Sequence, residues 1–120
     1  MGLTESDKLN FYPNLGISWE AFVIEQIRQK VQNRWNMYYY RTHDGTEADL
    51  VLCKGLKTEI TIEIKYSSAP KTEKGLTVAI HDLKTKNNFI IVPQTPQGSY
   101  RLNEKITVCD LYEFLNDVLN

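Results

Sequence analysis

No apolar run in the sequence approaches the roughly 18 residues that a membrane span needs. No secretory signal pattern stands at its start. These two absences set the expectation of a cytoplasmic chain without membrane contact. Only two cysteines occur, Cys53 and Cys109. They sit among apolar residues without metal-ligand spacing, so buried free thiols are expected, as suits a reducing compartment. No Gly-x-x-x-x-Gly-Lys-Ser/Thr loop is present, which excludes a nucleotide-binding P-loop from this chain. The two histidines, His43 and His81, have no nucleophile paired with them, and no Ser/His/Asp order points to acyl transfer. Nor is there an excess of either charge. Fourteen basic and 15 acidic residues give a net charge of −1, so no global basic field favours nucleic acid, although Lys54, Lys57, Lys65, Lys71, Lys74, Lys84 and Lys86 crowd the middle and later chain.

What is present fits one ordinary domain. A chain of 120 residues buries roughly two-thirds of its unfolded surface, enough for a core without covalent staples. Residues 1–14 are expected to be an arm or linker and residues 15–120 the domain proper. Ser18 is the expected N-cap of a helix from Trp19 to about Asn33. Met37–Thr42 is a tyrosine-rich strand candidate. His43-Asp44-Gly45 is a turn signal, and Glu47–Cys53 a second strand. Glu59–Tyr66 is the clearest strand, because Ile60, Ile62 and Ile64 alternate with Thr61, Glu63 and Lys65. A helix follows from Gly75 to about Lys84, then an apolar strand Asn88–Val92, short strands near Tyr100–Leu102 and Lys105–Cys109, and a final helix capped by Asp110. The predicted class is α/β, with an αβββαβ core and a mixed sheet flanked by helices. The strand after the crossover helix is expected to lie parallel to one of the hairpin strands.

Four residues stand out chemically. On a wheel of about 100° per residue, Trp19, Val23, Ile24, Ile27 and Val31 form one broad apolar face, and Glu20 falls near its middle. A carboxylate there is costly unless paired or bound to metal, although a first-turn acid also favours the helix dipole. Asp49 lies on a strand with apolar residues on both faces. Glu63 and Lys65 share a strand face at about 6.6 Å backbone spacing, an arrangement that solvated strands also show. The hairpin register couples these residues. An odd loop centred near Leu56 pairs Asp49 with Glu63 at about 5 Å on one face; an even turn at Lys54-Gly55 sends them to opposite faces. Leu50 and Ile62 must both pack inward, and that parity favours the shared face. Such a set suits magnesium, or manganese, which takes hard oxygen ligands. Asp49 and Glu63 would be the principal ligands, the Ile64 carbonyl a third, and Glu20 a supporting carboxylate. Lys65 would steady a nucleophilic water or developing negative charge.

The pieces Trp19-Glu20-Ala21-Phe22-Val23-Ile24, Gly45-Thr46-Glu47-Ala48-Asp49-Leu50-Val51-Leu52 and Ile62-Glu63-Ile64-Lys65-Tyr66-Ser67 resemble the PD-(D/E)XK restriction-endonuclease-like nucleases, with Ala48 where a proline is usual. More narrowly, residues 15–119 resemble the nuclease-like domain at the C-terminus of prokaryotic AAA-type ATPases. Tyr39-Tyr40-Arg41-Thr42 adds to that likeness. The resemblance implies a restriction-endonuclease-like fold, catalytic Glu20, Asp49, Glu63 and Lys65, a magnesium-dependent phosphodiester hydrolase acting on DNA, and an ATPase module that this chain lacks. A non-catalytic nuclease-fold module that binds DNA or protein is the alternative. Arg41, Tyr40, Tyr66 and Ser67 are expected to contact nucleic acid, although tyrosines also stabilise sheets. Dimers are common among similar nucleases, so a homodimer is a further expectation.

Overall fold

Isoleucines 60, 62 and 64 need one covered face, and they find it in strand β3 (Lys57–Ile64) of a six-stranded mixed sheet. The computed structural model describes residues 12–41, 47–71 and 74–119. Along these the elements are α1 (Tyr12–Val31), β1 (Asn36–Arg41), β2 (Glu47–Lys54), β3, α2 (Lys74–Leu83), β4 (Asn87–Val92), β5 (Tyr100–Arg101), β6 (Ile106–Asp110) and a short C-terminal helix, α3 (Leu111–Glu113), that continues as a π-turn over Phe114–Val118. The sheet order is β1-β2-β3-β4-β6-β5. The first three strands form an antiparallel meander; β4 lies parallel to β3, and β6 parallel to β4.

The expected α/β class, hairpin and parallel crossover are all present. Helix α1 is longer than the sequence suggested, beginning at Tyr12 and passing through Ser18, which is therefore not an N-cap. Pro13 stands in its first turn, where a missing N–H breaks no intrahelical bond. The helix ends where Gln32 turns left-handed at φ 46°, its N–H bonded to the Arg28 carbonyl. Asp110 caps the C-terminal helix as expected, in a full capping box with Glu113.

Each face of the sheet has its own core. Val23, Ile27 and Val31 of α1 pack on Leu50, Leu52, Ile60, Ile62, Ile64 and Ile91, with Phe114 and Leu119 from the C-terminal segment. Full burial of each such side chain contributes about 1.5–3 kcal/mol. On the opposite face α2 covers Ile90, Val92, Ile106 and Val108 with Leu76 and Ile80, and Val51 and Cys53 with Ala79. Both cysteines are free and buried, and burial pushes the Cys109 thiol up to about 12. No described helix is long and apolar enough to cross a membrane.

The hairpin corrects the expected loop. Lys54 pairs with Lys57, so the turn has two residues, Gly55 and Leu56. Gly55 has φ +63° and Leu56 does not share the positive φ, the signature of a type II′ turn. That even turn alone would separate Asp49 and Glu63. A β-bulge restores the parity: Cys53 pairs with Thr58, but Leu52 pairs with Ile60, leaving Glu59 as the extra residue. Beyond it the pairs Val51–Thr61 and Leu50–Ile62 hold. The demand that both apolar sets face α1 is met by inserting a residue into β3 and not by lengthening the loop.

Candidate active site

Continued by one step, the Leu50–Ile62 register sets Asp49 opposite Glu63. Asp49 Oδ2 accepts the Ile64 backbone N–H at 2.8 Å, which fixes the aspartate against the end of β3. Glu63 is buried, 9% exposed, and its Oε1 lies 3.5 Å from Lys65 Nζ. Asp49 and Glu63 follow the alternation of Val51 and Thr61, so they lie on the face that α2 covers. The Lys65 N–H donates to the Ile91 carbonyl at 3.0 Å, which carries the parallel β3–β4 pairing past the end of the strand. Three of the four expected residues are thus brought to one place, at the C-terminal ends of parallel strands. In open α/β sheets that end is where ligands bind.

Glu20 is placed differently. It rides on α1, the helix covering the other face, and lines a cleft with Ala21, Ile24, Arg28 and Tyr39. Trp19 joins the layers, its Nε1–H donating to the Lys65 carbonyl at 3.1 Å. Among the described residues no three His, Cys, Asp or Glu side chains gather closely enough to hold a metal ion. The hydrogen bond and ion pair at the end of β3 join two carboxylates and an ammonium, and the turn of α1 that carries Glu20 meets the same strand end through Trp19.

Two carboxylates are nonetheless a fitting donor set for magnesium, which uses one or two and completes its shell with water and phosphate. Asp49 Oδ2 is oriented by a backbone bond, and the Glu63 carboxylate is drawn from bulk water. Lys65, about one-third exposed at its side chain, is the cation that faces outward beside them.

The expected nucleic-acid contacts separate into three kinds. The Tyr40 hydroxyl donates to Asp82 Oδ2 at 2.9 Å and ties edge strand β1 to α2. The Arg41 side chain lies outside the described residues, as does His43. Tyr66 and Ser67 line a cleft with Ser68, Pro93, Gln94 and Pro96, and Ser67 Oγ also accepts the Ala69 N–H at 3.2 Å. Sequence reasoning missed the Pro93–Pro96 half of that cleft, since only the parallel β3–β4 pairing brings it beside Tyr66. It also missed a buried polar relay at the far end of the sheet. Thr85 Oγ1 donates to Asn88 Oδ1 at 2.6 Å, so Thr61 is the donor in its 2.7 Å bond to Thr85. The asparagine pair Asn87-Asn88 at the start of an apolar strand was its one visible sign.

Comparison with known proteins agrees with this architecture. The fold is similar to a chain in the solved tetradecameric assembly of Thermococcus gammatolerans McrB AAA+ hexamers with bound McrC, at TM-score 0.53 and 14% identity, over 77% of this chain and 26% of that one. The uncharacterized proteins Rv2008c of Mycobacterium tuberculosis and Mb2031c of Mycobacterium bovis are each 31% identical over 93 residues, 78% of this chain. The chain spans about a fifth of the length of these relatives, 21%. Residues 15–114 match the family described as a domain of unknown function, DUF4143, and the chain belongs to that family.

Proposed function

We propose that this domain is a magnesium-dependent phosphodiesterase acting on DNA, working as part of, or beside, an AAA-type ATPase. The observation that carries the proposal is the Asp49–Ile64 bond, which aims an aspartate at the Glu63-Ile64-Lys65 segment. Asp49, Glu63 and the Ile64 carbonyl would hold the cation, which when bound would acidify a water and offset phosphate charge. Lys65 would hold negative charge on the phosphate or orient the attacking water from the solvent side of Glu63. Glu20 is a supporting carboxylate from the helix end, and its loss is expected to weaken cleavage less than loss of Glu63. The ATPase association draws support from the fold shared with a chain of an AAA+ assembly and from relatives that extend far beyond this domain.

One observation favours a second proposal, a non-catalytic nuclease-fold module that binds DNA or protein. The Glu63–Lys65 pair and the Asp49–Ile64 bond already engage one oxygen of each acid within the protein. Plasmid nicking separates the two. Cleavage that requires magnesium or manganese and disappears in Glu63→Gln and Lys65→Ala supports the phosphodiesterase. No cleavage of supercoiled, linear or branched DNA by a folded, metal-binding protein supports the module.

A further inference from the structure

The cleft at the C-terminal ends of β3 and β4 has about 400 Å³ of space and no role in holding the cation. One wall is Tyr66, 44% exposed, with Ser67 and Ser68. The other is Pro93, Gln94 and Pro96. Among the described residues that line it, none is acidic. Glu20 and Glu25 line the cleft beside α1, and Glu104 lines the one between α2 and β6. Arg28 also lines the first of those two and Lys105 the second, whereas the residues described along this cleft are all uncharged.

The second wall is held in shape. Thr95 Oγ1 donates to Glu113 Oε1 at 2.5 Å, and the Gly98 N–H donates to the Thr95 carbonyl at 2.8 Å. Glu113 Oε2 accepts the Ser99 N–H at 3.1 Å, and the same glutamate closes the capping box with Asp110. The turn bearing the two prolines is therefore clamped to the start of the C-terminal helix. On the first wall, the carbonyl of Lys65 next to Tyr66 is pinned by Trp19. An aromatic ring, rigid prolines and uncharged hydrogen-bonding groups form a slot for a flat, polar-edged group. Such a slot suits a base, since every base offers a π-face for stacking and a polar edge. A base inside a duplex cannot enter a slot of this kind; an unpaired one can.

We infer that the Tyr66–Pro96 cleft holds an unpaired nucleotide of a DNA strand beside Lys65, so that single-stranded or frayed DNA is preferred to blunt duplex. This rests on the phosphodiesterase proposal only for the strand it names, because binding can be read without metal or cleavage. The test is fluorescence anisotropy of the full chain, in chelator, with a labelled dT oligomer of roughly twelve nucleotides and a blunt hairpin duplex of equal charge. The oligomer should bind more tightly. Tyr66→Ala should weaken its binding about tenfold or more, a typical loss for one stacked base, and Tyr66→Phe should preserve it. Pro96→Glu, at an exposed site, should weaken it by placing a carboxylate at the mouth. Retention of the strand preference in Glu63→Gln supports the cleft whether or not the protein cuts DNA. Equal affinity for the duplex, or unchanged oligomer affinity in a folded Tyr66→Ala protein, overturns the inference, while metal-dependent cleavage of duplex would leave the phosphodiesterase proposal standing.

Discussion

Asp49 Oδ2 accepts the backbone N–H of Ile64 at 2.8 Å, joining two strands at the one point where their carboxylates face each other. The bond has a structural and a chemical role, and two substitutions separate them. Asp49→Ala leaves the Ile64 N–H without this acceptor and should lower stability by about 1–3 kcal/mol. Asp49→Asn keeps an acceptor oxygen and should lose little stability while losing the charge that a cation needs. Urea unfolding of the two variants checks this; equal destabilisation would contradict it.

The Glu63–Lys65 pair predicts a non-additive cycle. Lys65→Met leaves the buried Glu63 carboxylate without its nearest cation, and Glu63→Gln removes the charge itself. The double variant should be more stable than the sum of the two losses implies, with a coupling of about 0.5–3 kcal/mol. Additive losses would show that the ammonium is solvated and leaves Glu63 unaffected.

Most of the fold was legible in the sequence, because Ile60, Ile62 and Ile64 of β3 alternate with Thr61 and Glu63 and α2 carries Leu76, Ala79 and Ile80 at helical spacing. The shared face of Asp49 and Glu63 was legible too, from the need of Leu50 and Ile62 for the same core. The means of achieving it was not. A bulge at Glu59 leaves no local signature, since a polar residue in a half-exposed strand fits either register. The start of α1 was misplaced because Ser18 imitates an N-cap that the preceding helical turns override.

Gly55 tests the hairpin directly. An added Cβ would meet nothing within 4 Å, yet φ is +63°, so the cost of Gly55→Ala is conformational. A loss of about 1–2 kcal/mol is expected, with Gly55→Asn milder. Thermal unfolding of both variants measures it, and an unchanged alanine variant would contradict the II′ turn.

Glu113 predicts an acid dependence. The Thr95 hydroxyl bond, followed by the Asp110 and Ser99 backbone bonds, holds its carboxyl below the ordinary range despite opposing burial. A depressed folded value means stability that is present above the unfolded value and is lost as pH falls through the folded one. Glu113→Gln should therefore be less stable than wild type at neutral pH, with the two curves converging below the carboxylate range. Parallel curves across that range would show that the clamp does not depend on charge.

The central claim is that Asp49 and Glu63 form one carboxylate site for a divalent cation. Calorimetric titration with manganese tests it most directly. The account predicts one bound ion per chain in the wild type, lost in both Asp49→Asn and Glu63→Gln while each variant remains folded. Undiminished binding in either variant, or no binding by the wild type, would contradict it.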